Sequence, residues 1–152
     1  AYDSNTNTYW TSVETGASTL NTSWIGYVFP SPKDIRKFKF YTEYQWDNNF
    51  HIFTKAVELS YSDNGVTWTE RQVFTNLPEV AGWITCEVTH TDMQSHRYWR
   101  IICRDGTFER MVPNPEPGGY PPTIFVNLPW TIYEIEMYTI IKSSSNIIGW
   151  VD

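Results

Sequence analysis

Charged side chains make up only 18% of the 152 residues, and cations are the scarcer sign: 11 Lys and Arg against 17 Asp and Glu leave a net charge of −6. Such a balance opposes long-range attraction to phosphate backbones and anionic lipid, so neither nucleic-acid binding nor membrane attachment is expected. Cysteine is nearly absent, with two residues. Two cysteines make no disulfide framework. Cys86 and Cys103 each sit inside an apolar run, so they are expected as free buried thiols, a disulfide arising only if their strands pair. No apolar run approaches the roughly 18 residues that a membrane-spanning helix requires, and no basic-then-apolar leader opens the chain. It begins at Ala1 and not at Met, which fits a processed product or a piece of a longer protein. No stretch keeps a helical period for three turns, and no internal repeat is visible. Catalytic signals are missing too. There is no nucleophile elbow, and His90 and His96 lie in a polar turn without metal-ligand spacing, so an enzyme is not expected.

Aromatic residues are abundant, at 17% with 8 Trp and 10 Tyr. With so little charge, much of the surface is neutral polar or aromatic, a profile suited to a β-rich extracellular binding domain whose partner is neutral or cationic. The length is that of a single domain with one hydrophobic core. Short strand-like runs recur between turn signals. Trp24-Ile25-Gly26-Tyr27-Val28-Phe29 is apolar throughout and reads as a strand buried on both faces. In residues 35–42, Phe38 and Phe40 alternate with Lys37 and Lys39, which predicts a half-buried strand with a solvated lysine face. Val57, Leu59 and Tyr61 again follow a period of two. Ser62-Asp63-Asn64-Gly65 then predicts a hairpin turn, because Asn-Gly accepts the positive φ such turns need. Further strands are expected over residues 83–89, 98–103 and 132–138. Residues 11–22 read as a polar exposed loop, and residues 104–130 as one long Pro/Gly-rich excursion, either functional or a linker. The tail from Lys142 reads as a Ser-rich break followed by one more strand or an attachment point.

The opening stretch, Ala1-Tyr2-Asp3-Ser4-Asn5-Thr6-Asn7-Thr8-Tyr9-Trp10, packs a carboxylate, amides, hydroxyls and carbonyls into one short segment. That is the donor chemistry a hard cation such as calcium prefers. An ordinary Asx-rich turn has the same composition.

These pieces, taken in order, resemble the discoidin domains, also called coagulation factor V/VIII type C domains, of the galactose-binding-like superfamily. The opening stretch is similar to the family's Ala-x-Asp-Gly-Asn-x-x-Thr-x-Trp segment. Trp24-Ile25 followed by Pro32 and Ile35-x-x-Phe38-x-Phe40 resembles its second block. Leu59-Ser60-Tyr61-Ser62-Asp63-Asn64-Gly65-Val66-Thr67-Trp68 resembles its Ser-x-Asp-Gly-x-x-Trp hairpin. Tyr98-Trp99-Arg100-Ile101 resembles its Arg-Tyr-x-Arg-Ile strand, and Tyr133-Glu134-Ile135-Glu136-Met137-Tyr138 its closing Glu-x-Glu-x-Tyr strand. Against that pattern, Ser4 replaces a Gly, Tyr27-Val28-Phe29 replaces Val-Asp-Leu-Gly, the strand that precedes the Asp loop is missing, and so is the terminal Cys pair of the animal lipid-binding members. The last departure points toward microbial or viral carbohydrate-binding relatives.

The resemblance implies an all-β fold, an antiparallel β-sandwich of jelly-roll type, over residues 1–141, with residues 142–152 as a tail or extra strand. It implies a structural Ca2+ ion held by Asp3, Asn5, Thr8, Tyr133 through its carbonyl, and Glu134, pinning the start of the chain to its closing strand. It also implies glycan binding where loops gather at one end of the sandwich. Sugar recognition needs a flat aromatic face for the C–H bonds and amide, imidazole or guanidinium groups for the hydroxyls. Trp46, Asn48, Asn49 and His51 supply that mixture in one loop. Arg104, Arg110, Tyr120 and Trp130 add to it if the long loop folds back. The expected function is that of a non-catalytic module recognising galactose-type or related glycans, in an extracellular, cell-surface or virion-surface setting and attached to other domains of a longer parent chain. The alternative is a structural or adhesive module that docks onto a neighbouring protein.

Overall fold

A computed structural model describes residues 7–118, 123–142 and 148–151. Its strands are β1 (Trp10–Thr15), β2 (Trp24–Lys33), β3 (Ile35–Thr42), β4 (Gln45–Trp46), β5 (Phe50–Ser62), β6 (Thr69–Phe74), β7 (Gly82–Glu87), β8 (His96–Pro113), β9 (Thr123–Asn127), β10 (Pro129–Lys142) and β11 (Ile148–Val151), with a single 3-10 turn at Gly16–Thr19. They form two antiparallel sheets. One has the order β1-β10-β3-β7, with β11 also on β10, and the other the order β2-β8-β5-β4, with β6 on β5 and β9 on β8. This is the all-β sandwich expected.

The core follows from period two. Phe38 pairs with Met137 and Cys86 across the first sheet, and Phe40 with Ile135 and Ile84. All of these but the half-buried Met137 are fully buried, and they meet Val57, Leu59, Trp99, Ile101 and Cys103 from the second sheet. Burying one such side chain contributes roughly 1.5–3 kcal/mol, so this single apolar layer supplies the main driving force for folding. The opposite face of β3 carries the lysines as anticipated: Lys39 Nζ lies 2.6 Å from Glu136 and 4.8 Å above the Trp83 ring. The Asn-Gly hairpin forms between β5 and β6. Gly65 has φ +72, Ser62 Oγ accepts the Gly65 N–H at 2.9 Å, and Asn64 Oδ1 accepts those of Val66 and Thr67 at 2.8 Å each. The two cysteines are free and buried. They lie in different sheets, Cys86 on β7 and Cys103 on β8, and burial pushes both thiols up to about 12.

Three expectations are corrected. First, β2 is not buried on both faces. It pairs only with β8 among the described strands, and Trp24, Tyr27 and Val28 are 46%, 43% and 50% exposed while Ile25 enters the core. An edge strand with an aromatic outer face has the same apolar run as a central one. Second, residues 11–22 are not a simple exposed loop. They include most of β1 and the 3-10 turn, and Ser12 and Thr19 are buried, each satisfied: Ser12 Oγ accepts the Trp130 N–H at 2.9 Å and Thr19 Oγ1 donates to Gly16 O at 2.8 Å. Third, the excursion over residues 104–130 is largely a hairpin. β8 runs on to Pro113 and β9 returns beside it, Met111 opposite Phe125 and Val112 opposite Ile124. The backbone of the tail forms β11, which lies antiparallel to the end of β10.

Candidate functional site

At one end of the second sheet the strands β4, β5, β8 and β9 lie side by side. Trp46 stands opposite His51, His51 opposite Glu109, and Glu109 opposite Asn127. The tight turn that carries Trp46 is built by Asp47. Its Oδ1 accepts the N–H groups of Asn49 and Phe50 at 2.6 and 2.9 Å, its Oδ2 accepts Gln45 Nε2 at 2.9 Å, and its own N–H donates to Phe50 O at 3.0 Å. The donors, the Asn49 N–H first among them, hold the Asp47 carboxyl below the ordinary aspartate value. The Asn49 carbonyl accepts the Met111 N–H at 2.6 Å, which ties the turn to β8.

On this frame the aromatics form a row. The His51 imidazole stacks on Trp46 at 4.1 Å and 17°, and on its other side it meets Phe125 at 4.8 Å. Phe53 stands edge-on to Trp46 at 5.3 Å, and Tyr44 to Phe53 at 6.4 Å. Buried Phe53 anchors the row, whereas Trp46 stays 55% and Phe125 44% exposed. Asn48, Asn49 and Arg110 are exposed at the same end, Arg110 opposite Phe50. Beyond Tyr44, whose hydroxyl lies 3.4 Å from Glu79 Oε2, opens a cavity of about 620 Å³ of mixed character, lined by Lys55, Glu79, Arg104 and Asp105 as well as Val73 and Leu77. A half-open indole flanked by amides and an imidazole can hold a flat C–H surface and satisfy hydroxyl groups beside it.

The structure thus brings Trp46 and His51 into contact, with Asn48 and Asn49 in the same turn, and it separates three other candidates from them. Arg110 lies opposite Phe50, next to Glu109, which is the residue opposite His51, so it stands on the other face of the sheet from the Trp46 row. Trp130 is fully buried. Its Nε1 donates to Thr54 Oγ1 at 3.0 Å and its ring meets Trp10 edge-on at 5.8 Å, so it is a core residue with no face for a ligand. Arg104 is engaged by acids and an amide: it donates to Glu58, lies 3.7 Å from Glu70, and donates to Asn21 Oδ1 at 2.6 Å. It borders the cavity but not the Trp46 row. Tyr120 lies outside the described residues. Asp47, Phe53 and Phe125 were not anticipated. The Asp-Asn-Asn turn was a readable sign of Asp47, and the alternation Thr123-Ile124-Phe125-Val126-Asn127 was one of Phe125.

Of the cation-site residues, Asp3 and Asn5 lie outside the described residues. Glu134 is 2% exposed, and its Oε1 accepts the Ile135 N–H at 3.0 Å. The start of the chain does run past it, since Trp10 pairs with Ile132 and the Tyr9 ring meets Tyr133 edge-on at 5.7 Å. Thr8 is exposed. The Tyr133 hydroxyl donates to Glu43, and burial together with that acceptor raises the phenol above its ordinary value. Among the described residues no three His, Cys, Asp or Glu side chains gather to hold a metal. His96 opens β8 and faces the β5–β6 turn, whereas His90 serves the loop after β7. His96 Nδ1 lies 2.7 Å from Asp63 Oδ1, and the His90 carbonyl accepts from Arg36 and Arg71.

No family model and no curated protein matches the sequence. Among solved structures the chain is similar to CpGH89CBM32-6 produced by Clostridium perfringens, with a TM-score of 0.51 and 16% identity over 90% of this chain and 80% of that one. It is equally similar to the F5/8 type C domain of a Bacteroides fragilis protein, with a TM-score of 0.52 and 16% identity over 90% of this chain and 76% of that one. The chain has the fold of these domains, as the resemblance of its motifs implied.

Proposed function

We propose that the chain is a non-catalytic carbohydrate-binding module that recognises galactose-type or related glycans at the Trp46 end of its second sheet. The observation that carries the reading is the Trp46 indole, stacked on His51 and still 55% exposed, with Asn48 and Asn49 in the same turn. The CBM32 designation of a solved domain with the same fold supports it. In this reading the module sits outside the cell or on a cell or virion surface, and it directs a longer parent protein to glycans. A glycan array read with the wild type and with Trp46→Ala tests it. Loss of a central aromatic contact costs about 2 kcal/mol, roughly a thirty-fold weakening. Equal array signals from the two proteins would remove Trp46 from the site.

A structural Ca2+ ion is part of the same reading. Buried Glu134 beside the incoming chain start is a fitting anchor, with Asp3, Asn5, Thr8 and the Tyr133 carbonyl as the other donors, all oxygen as calcium requires. The ion would neutralise Glu134 and Asp3 and clamp the two chain ends. Melting temperatures that are equal with calcium and with a chelator would dismiss it.

The second reading, a docking module, is favoured by the open side of β2, where Trp24, Tyr27 and Val28 are exposed. An unpaired apolar edge invites a partner strand. Concentration-dependent oligomers in sedimentation, together with a blank glycan array, would favour it over the lectin reading.

A further inference from the structure

The outer face of the second sheet carries a second aromatic cluster, away from the Trp46 row. Arg100, on β8, lies opposite Gly26 of β2 and Ser60 of β5. Its guanidinium sits 4.1 Å from the Trp68 ring centre and 5.4 Å from that of Trp24, and the two rings are 5.9 Å apart. Among the described residues none gives this guanidinium a hydrogen bond or an ion pair, and its Nε is buried without a partner. Nearby acids are already committed: Glu58, 3% exposed, accepts from Ser60 and Arg104, and Glu70 faces Arg104. Burial pulls the proton affinity of Arg100 below the ordinary arginine value, outweighing the attraction of Glu58.

A half-desolvated guanidinium without an acceptor is an expensive arrangement unless something completes it. Arg presents a planar fork that matches a carboxylate. Gly26 lets β2 approach β8 closely at this point, since a Cβ there would fall 2.6 Å from the Trp99 carbonyl and 2.9 Å from Arg100 Cβ. Trp24 and Val28, on the same face of β2 by period two, are 46% and 50% exposed. The result is a shelf with an indole on one side and an unmatched guanidinium at its back.

We infer that Trp24, Trp68 and Arg100 form a second site, which takes a carboxylate-bearing sugar residue such as a uronic acid. The sugar's C–H face rests on Trp24 and its carboxylate meets the Arg100 fork. The position is separate from the Trp46 row. The choice of a sugar as carrier of the carboxylate rests on the carbohydrate-binding reading; the site itself does not.

Titration of 15N-labelled protein with methyl β-glucuronide, methyl β-glucoside and propionate tests it, with the indole N–H signals of Trp24 and Trp68 as reporters. The glucuronide is expected to shift both signals saturably, and the two controls at least ten-fold more weakly. Arg100→Gln abolishes the response, Arg100→Lys weakens it several-fold by losing the fork, Trp24→Ala weakens it ten-fold or more, and Trp46→Ala leaves it unchanged. Well-dispersed spectra of the Arg100 variants establish that they are folded. If they are not, the Trp24→Ala arm and the ligand comparison decide. A glucuronide response equal to that of the glucoside, or one that survives in folded Arg100→Gln, overturns the site. A propionate response equal to that of the glucuronide overturns the sugar. Loss of the response in Trp46→Ala places the ligand at the other site and overturns the inference. A blank glycan array with an intact glucuronide response would refute the loop-site reading and leave this one standing.

Discussion

Replacing Thr54 by valine exchanges one buried hydroxyl for a methyl group of nearly the same volume. Thr54 is 2% exposed, and its Oγ1 is the acceptor for the Nε1–H of Trp130, 3.0 Å away in the centre of the sandwich. No cavity is created, so the cost reduces to that of leaving the indole N–H buried without an acceptor, about 1–3 kcal/mol. For a domain of this length each kcal/mol lowers the melting temperature by roughly 2–4 °C. A companion change, Trp130→Phe, removes the donor and part of the ring that meets Trp10 edge-on at 5.8 Å, so it costs more on its own. In the double variant the orphaned donor no longer exists, and the two penalties should fall short of additivity by about 1 kcal/mol. Urea denaturation followed by circular dichroism measures all three stabilities, and glycan binding measured on the folded Thr54→Val protein stays at the wild-type value. Strict additivity, or a Thr54→Val protein as stable as the wild type, refutes the hydrogen bond as the reason Trp130 is held in the core. Lost glycan binding in a fully folded Thr54→Val protein would return Trp130 to the binding site.

The same geometry fixes other outcomes. Asp47 has its folded carboxyl depressed by the Asn49 and Phe50 N–H donors, so the turn's contribution is present above the unfolded aspartate value of about 3.9 and is lost as pH falls through the lower, folded one. The Asn49 and Phe50 amide shifts should therefore show a transition below about pH 4, and Asp47→Asn should abolish that acid transition. Cys86 and Cys103, with thiols pushed up to about 12 by burial, should resist a thiol reagent in the native protein at pH 8 and release two equivalents once it is unfolded. Gly26→Ala forces a Cβ to 2.6 Å from the Trp99 carbonyl. It should destabilise the β2–β8 pairing by about 1–3 kcal/mol, visible as a lower urea midpoint, whereas an unchanged midpoint would mean that the two strands lie further apart. Arg71 donates two hydrogen bonds to the Asp92 carboxylate at 2.9 Å, and Gln94 Nε2 adds a third at 2.7 Å. Asp92 is therefore held at about 2, with Gln94 the larger cause, and Arg71→Met should raise that value as seen by carboxyl NMR titration.

How far the chain could be read without its structure depended on whether a residue's role was decided locally or across strands. Phe38 and Phe40 alternate with lysines, and alternation on one strand already names the buried face. The Asn64-Gly65 turn is likewise decided within a few residues. The run Trp24-Ile25-Gly26-Tyr27-Val28-Phe29 is different, because an unbroken apolar run is compatible with a central strand and with an edge strand that carries aromatics outward. Which one it is depends on whether a strand lies beyond it, and that is a property of the sheet order. Pro113 through Pro122 hid a hairpin for a related reason: the turn signals were strong enough to obscure the alternating residues on either side, Met111 and Val112 before them and Ile124 and Val126 after.

The binding end shows the same division more sharply. Trp46 and His51 are five residues apart on a hairpin, so their meeting could be anticipated from one short stretch. Phe125 closes the stack from a strand seventy-four residues further on, and only the register of β9 on β8 and of β8 on β5 brings it there. Trp130 and Arg104 looked equally available, being aromatic and cationic residues in a stretch read as loop. Both were assigned elsewhere by partners far away in sequence, Thr54 for Trp130 and Glu58 for Arg104. The contrast between Arg104 and Arg100 follows from the same register. Arg100 and Arg104, four residues apart on β8, share the outer face of the sheet, where Arg104 pairs with Glu58 and Glu70 across the strands and Arg100 rests against Trp24 and Trp68 and feels Glu58 without a hydrogen bond. An arginine whose acids lie within its own protein acts as a strut, and one held against rings is the group inferred to take a carboxylate from outside.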